Sequence, residues 1–250
     1  MKNSILYILC AILLFSFSNA GTIDPNIPDK NYIEYGEKFK CVLEIAGSYD
    51  DKDTKKFCAS AVAINHRWVL TAAHVVKESK SAFLYSPDRT RIINIDKVIC
   101  HEDFEESKFG FADIALCHTE SDIDAEFYSN LYENTDEVNK LCAISGYGQT
   151  GTFLTGINTW DGKRRAGYNK IDKIENDLLI CSPSVSDKTK LEFLIGSGDS
   201  GGGLWIDGKL AGINSCVMSV DKKTDSDYGD TSGHTRISKF ISWIKQNSSK

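Results

Sequence analysis

Three short strings hold the residues of this chain that could do covalent chemistry. They are Thr71-Ala72-Ala73-His74, Phe111-Ala112-Asp113-Ile114-Ala115-Leu116 and Gly196-Ser197-Gly198-Asp199-Ser200-Gly201-Gly202-Gly203. A serine hydroxyl is a weak nucleophile at neutral pH and needs a neighbouring base, which in turn needs a group to orient it. Histidine, aspartate and serine stand here in the order His74, Asp113, Ser200, one of three chain orders in which a single acyl-transfer geometry recurs.

The surroundings of each residue suit that chemistry. Asp199 and Ser200 lie in a glycine-rich turn, where the backbone can take conformations closed to other residues. Such a turn can aim the Gly198 and Ser200 N–H groups at a developing oxyanion. His74 follows the strand-like Trp68-Val69-Leu70-Thr71, which can fix its ring at a strand end. Asp113 is flanked by Ala112 and Ile114-Ala115-Leu116, and a carboxylate there needs a donor such as a histidine Nδ1–H.

The elements around them read as β-structure. Short β-branched and aromatic runs, Cys41 to Ile45, Ser60 to Ile64, Arg91 to Ile95, Leu141 to Ile144 and Leu210 to Ile213, alternate with Gly, Asn and Asp clusters. This spacing predicts an antiparallel all-β sandwich or barrel. Only the tail carries apolar residues at helical spacing, at Ile237, Phe240, Ile241 and Ile244, which predicts a single C-terminal helix. A division into halves falls in the polar stretch Thr119 to Lys140.

These strings resemble those of the chymotrypsin-like (trypsin-fold) serine proteases. The resemblance rests on Cys58 to Ile64 leading to Trp68–His74, on Asp113 to Leu116, and on Gly146-Tyr147-Gly148. It continues through Gly198 to Gly202, Gly212-Ile213-Asn214-Ser215, and Thr235-Arg236-Ile237-Ser238 before Trp243-Ile244. It implies two six-stranded antiparallel Greek-key β-barrels packed together with a C-terminal α-helix. The peptidase domain would span 36–247, with barrels at about 36–125 and 138–236 and the helix at about 237–246. It further implies His74 as general base and then acid, Asp113 as its orienting carboxylate, and Ser200 as nucleophile, with Gly198 and Ser200 N–H forming the oxyanion hole. Ser215 would present backbone to an extended substrate. The implied activity is that of a secreted serine endopeptidase working through an acyl-enzyme. Its partners would be polypeptide substrates and protein protease inhibitors, with no metal and no cofactor. The competing reading is a catalytically silent member of the fold that serves as a binding or regulatory module.

The chain departs from the family at three places. Val75 stands where a cysteine usually follows the catalytic histidine, so Cys58 loses that partner and Cys41 is its substitute; Cys100 and Cys117 make the second expected pair. Cys142, Cys181 and Cys216 stay unassigned, with one thiol of seven left over or paired between chains. The family's activation sequence is absent. There, cleavage frees an amine that pairs with the aspartate before the nucleophile, here Asp199, yet neither Lys30-Asn31 nor Lys38-Phe39 would free the usual terminus. The pocket base six residues before the nucleophile is Leu194, with walls at Val217 and Gly233, which predicts medium apolar P1 residues.

The remaining features set the compartment. Lys2, the apolar run Ile5 to Phe17 and Ser18-Asn19-Ala20 read as a secretory leader, 1–20, leaving a mature chain from Gly21. Residues 21–35 form an N-terminal segment with the character of a propeptide. The apolar run is short for a membrane anchor, so no membrane association is expected after cleavage. The 250-residue chain has a net charge of -6, or -7 without Lys2, and no basic cluster for nucleic acid. A monomer secreted to the extracellular space is expected. Cys100-His101 and Cys117-His118 are poor zinc ligands, because adjacent strand residues point to opposite faces. The turn also fits the nucleophile elbow of α/β-hydrolases, but Gly203 to Gly208 is strand-and-turn chemistry where that elbow needs a helix.

Overall fold

The computed structural model describes residues 21–249 apart from Glu106, Phe109, Phe127 and Thr224. The leader expected at 1–20 lies outside the described residues. The chain starts with β1 (Thr22–Ile23) and α1 (Asp29–Gly36). Next come β2 (Val42–Ser48), β3 (Lys56–Ala63), β4 (Trp68–Thr71), the single turn α2 (Ala73–Val76), β5 (Ser81–Tyr85), β6 (Ile92–Cys100) and β7 (Ala115–Thr119). The second half holds β8 (Leu141–Gly146), β9 (Thr150–Thr152), β10 (Gly156–Thr159), β11 (Arg165–Glu175), β12 (Leu178–Cys181) and β13 (Phe193–Leu194). It ends with β14 (Gly203–Ile206), β15 (Lys209–Met218), β16 (Thr231–Arg236) and α3 (Ile237–Ser248).

Two closed six-stranded barrels form, in the orders β2-β3-β4-β7-β6-β5 and β11-β12-β16-β15-β14-β8. Every ladder within them is antiparallel. Closure removes the unpaired edges that an open sheet would leave. A third, four-stranded sheet runs β10-β9-β1-β13 along the flank of the second barrel.

The two cores interlock. Trp205 of β14 packs its ring 4.8 Å from that of Phe39 and belongs to the first barrel's apolar cluster, together with Ile237, Phe240 and Ile244 of α3. Its indole N–H donates to Ser129 Oγ at 2.8 Å. Arg164 is buried between the barrels, its Nε on Gly36 O at 2.8 Å and its Nη1 on Val42 O at 2.9 Å.

Two sequence expectations change, and a third segment gains a defined place. A second helix, α1, precedes the barrels; Pro28 and Asp29 start it and Gly36 ends it, but only Tyr32 and Gly36 are buried, so its apolar stripe is too thin to stand out. The segment at 21–35 is built into the second barrel's flank. There Arg165, almost wholly buried, forks onto Asp29 at 2.6 and 2.7 Å and onto Asp161 at 2.9 and 2.8 Å. The cysteine pairs also differ, for all seven described thiols are free. Cys58 lies opposite Ala46 while Cys41 precedes Val42, which lies opposite Val62. The two are thus separated by roughly 16 Å along the ladder, at about 3.3 Å per residue, too far for a disulfide. Cys117 opposes Val98 and Cys100 opposes Ala115, a diagonal relation in which Cα atoms stand about 7–8 Å apart, at the outer limit for bridging. The closest thiols are instead Cys142 and Cys181, with Sγ atoms 3.9 Å apart across β11.

Candidate active site

Strand pairing explains why His74 meets Asp113. β4 and β7 are antiparallel neighbours with Thr71 opposite Ala115. The residues just past the end of β4 and just before the start of β7 therefore emerge side by side. His74 sits on the turn α2, and its Nδ1 lies 2.7 Å from Asp113 Oδ2 while its backbone N–H donates to Oδ1 at 2.9 Å. Ser215 Oγ donates to the same Oδ2 at 2.6 Å. Three donors thus satisfy the hydrogen-bonding needs of a carboxylate that is only 2% exposed. An Nδ1–H directed at Asp113 places the imidazole's basic lone pair on Nε2. Ala112, just before the carboxylate, takes a left-handed φ of 49°, a strained conformation for a residue with a Cβ.

The nucleophile turn joins β13 to β14 and is pinned by the first barrel. Ser60 of β3 accepts nothing from the turn but donates twice, from its N–H to Ser200 O at 2.9 Å and from Oγ to Gly198 O at 3.0 Å. The approach is close enough that a Cβ at Gly201 (φ 83°) would run into Ser60 O and Thr71 Oγ1. Glycine is required there.

Peptide planarity then sets the direction of two N–H groups of this turn. Ser197 C=O and Gly198 N–H belong to one trans peptide and point in opposite directions. Ser197 O is tied to Gln149 N–H at 2.7 Å, so Gly198 N–H is turned the other way. Likewise Asp199 O accepts Gly202 N–H at 2.8 Å and Asn214 Nδ2 at 3.2 Å, which turns Ser200 N–H to the opposite side of the turn. Gly198, at φ 87°, makes the bend.

His74, Asp113, Ser200 and Ser215 share the wall of one cavity of about 400 Å³. Its other walls are Phe104, Glu105 and Gly110 on one side, and Ile195 to Ser197, Cys216 and Val217 on the other. Val217 and Ser215 line this cavity. Leu194 and Gly233 do not reach the cavity. Leu194 is fully buried, paired in β13 against Thr22 of β1, and its successor Ile195 takes the wall position. A Cβ on Gly233 would point at Cys216 Sγ, Leu178 and Met218, behind the cavity wall. Burial pushes the Cys216 thiol up to about 11, which keeps it protonated beside the serine at neutral pH.

Asp199 faces away from this cavity and is fully buried. Its Oδ2 accepts Gly21 N at 2.7 Å and Gly196 N at 2.9 Å, and its Oδ1 accepts Gly148 N at 2.9 Å. Burial pushes its carboxyl up to about 6 despite these bonds. Cβ atoms at Gly146 or Gly148 would collide with it, which explains the two glycines around Tyr147.

Ser60, Gly21 and the Ser215 hydroxyl are the site residues that sequence reasoning missed. Their partners are far away in the chain and their residue types are common. The one available signal was that Gly21 directly follows the expected leader.

Two closed antiparallel barrels with a His–Asp pair on one and a serine turn on the other define a serine-protease fold. The match to the trypsin family model over residues 36–244 shows that the chain belongs to the trypsin family. It is 24% identical over 213 residues to a collagenase of Hypoderma lineatum, covering 78% of each chain. It is 27% identical over 208 residues to mast cell protease 3 of Ovis aries, covering 77% of this chain and 78% of that one. Among solved structures, neuropsin, a serine protease expressed in the limbic system of mouse brain, superposes with a TM-score of 0.66 at 21% identity. That match covers 85% of this chain and 96% of neuropsin. Among the described residues no helix is long and apolar enough to cross a membrane.

Proposed function

We propose that this trypsin-family protein is a secreted serine endopeptidase, with Ser200 as nucleophile, His74 as general base and then acid, and Asp113 as the orienting carboxylate. The observation that carries the reading is the Asp113–His74 pair at 2.7 Å sharing one cavity with Ser200 and a turn whose neighbouring carbonyls are tied away. In this mechanism His74 Nε2 takes the Ser200 proton as Oγ attacks the scissile carbonyl. The oxyanion then settles between Gly198 and Ser200 N–H, and His74 returns the proton to the leaving amine. Water, activated by the same histidine, releases the acyl group. Asp113 stabilises the imidazolium formed in each half.

The cavity wall of Ile195, Val217 and Phe104 supports a preference for medium apolar P1 residues such as Leu, Val or Met. Ser215 in β15 offers backbone to an extended peptide, so substrates are polypeptides and protein inhibitors would bind the same way. Secretion follows from the leader. A fluorophosphonate probe tests the assignment: Ser200 is labelled in the wild type and unlabelled in His74→Ala. Absence of labelling in the mature protein would leave it a silent binding module. Peptide-library profiling tests the pocket, and cleavage mainly after Lys or Arg would overturn the apolar preference.

A further inference from the structure

Gly21, the first of the described residues, occupies the seat beside Asp199. Gly21 N is the shortest of the three donors to that carboxylate, at 2.7 Å, and all three donors are backbone nitrogens without charge in an uncut chain. Burying a carboxylate without a cation is costly, and here burial drives the acid toward its neutral form. The seat admits only glycine, since a Cβ at position 21 would run into Leu194 O and the Phe193 ring.

The neighbouring residues hold this nitrogen in register. Thr22 pairs with Leu194 on one side and Gly151 on the other, and its Oγ1 donates to Ser226 O. Lys188 Nζ grips Asp24 at 2.6 Å, and Arg165 clamps Asp29. A cut after Lys30 would fall inside α1, nine residues past the seat, and would free no amine at Asp199. The leader reading, made on other grounds, ends at Ala20.

We propose that removal of the leader at the Ala20–Gly21 bond is itself the activating step, so that the protein is latent with its leader on and competent once the leader is off, with no later activating cut. The bond is hydrolysed by a leader peptidase. Water supplies a hydroxyl to the Ala20 carbonyl and a proton to the Gly21 nitrogen, which takes up a second proton from solvent to become an ammonium. That ammonium replaces a neutral donor with a full positive charge against the Asp199 carboxylate and holds the turn that carries Gly198 and Ser200. Gly21 and Asp199 are thus positioning residues. The proposal rests on the endopeptidase reading above.

The test uses the chain with a removable N-terminal fusion whose specific protease leaves Gly21 first, so that one folded sample is measured before and after the cut. Circular dichroism before the cut establishes that it is folded. Fluorophosphonate labelling of Ser200 is expected to rise about 100-fold or more on cutting, as loss of one oxyanion donor costs about 10²–10³ in rate. The thermal midpoint is expected to rise with it. A second chain that keeps Ala20 after the cut should stay low in both readouts, and Asp199→Asn should lose the gain. Equal labelling before and after the cut, or labelling that appears only after trimming beyond Lys30 or Lys38, overturns the proposal and leaves the enzyme standing. A rise in the midpoint with no labelling in any form overturns the endopeptidase reading and takes the activation with it.

Discussion

The two barrels share a strand count and differ in what they bury. The first closes over hydrocarbon, with Val42, Leu43, Ile45, Val62, Leu70, Leu84, Ile93 and Leu116 all essentially unexposed. Its buried charges are few: Asp113 at the rim and Glu44, which pairs with Arg89 at 2.5 Å. The second barrel and its flank bury Arg165, Glu192, Asp199, Asn169, Asn214, Ser232 and His234. There His234 Nδ1 meets Asn214 Oδ1 and its Nε2 meets Ser232 Oγ, both at 2.9 Å, and Asn214 Nδ2 reaches the carbonyls of Ser145 and Asp199. An apolar core fixes position by shape, whereas a hydrogen-bonded interior fixes it only while every partner is in place. The first barrel is a rigid mount for His74, the proposed base. The second is a conditional mount for Ser200, the proposed nucleophile.

The largest expected effect tests whether the two mounts act as one machine. His74→Ala and Ser200→Ala should each lower kcat by about 10⁶-fold, and the double variant should be no worse than either single one. Additive losses in steady-state kinetics would mean the barrels contribute independently. Next comes Arg165→Met, which frees Asp29 and Asp161 from a clamp almost wholly buried on the arginine side. A loss of about 2–3 kcal/mol in urea unfolding is expected, below the usual cost of breaking a buried pair because both carboxylates stay partly exposed. Activity should fall with it, because the clamp anchors the segment that begins at Gly21.

A pH experiment sharpens the contrast further. Burial pushes His234 down to about 3, so between about pH 6.5 and 3 the unfolded chain holds a proton there that the folded chain does not. Stability is therefore lost as pH falls through this window, with a slope of up to about 1.4 kcal/mol per pH unit. Denaturant melts of His234→Gln should show a shallower acid limb than the wild type, and identical limbs would remove His234 from the account. The smallest effect belongs to the first barrel. Ala112→Gly relieves a left-handed alanine and should stabilise by up to about 1 kcal/mol in thermal melts with kcat unchanged.

What could be read in the sequence follows the same divide. The proposed triad and the β character were legible because each rests on a compact string or a local alternation, and each of the five runs overlaps a strand, with Cys41, Ile64 and Arg91 falling just outside. Local pattern failed where the decisive contact is distant. Ser60 looks like any strand serine until Gly198, 138 residues away, is laid on it. Leu194 was placed by counting back from the serine, and a count cannot say which of two adjacent residues faces the cavity. The Cys41–Cys58 expectation failed because strand adjacency fixes a ladder but not the offset along it. α1 was missed because its buried face amounts to Tyr32 and Gly36.

The pairing of β1 also orders events in time. Thr22 leaves the ribosome before either of its ladder partners, Gly151 and Leu194, has been made. Contacts of such sequence separation close late, since loop entropy must be overcome before they give anything back. The terminus therefore stays accessible while most of the chain is still emerging, and becomes inaccessible only when the last strands of the second barrel arrive. Under the proposed activation, the cut at Ala20–Gly21 would fall in this interval, and the finished fold would then hold the new Gly21 nitrogen against Asp199.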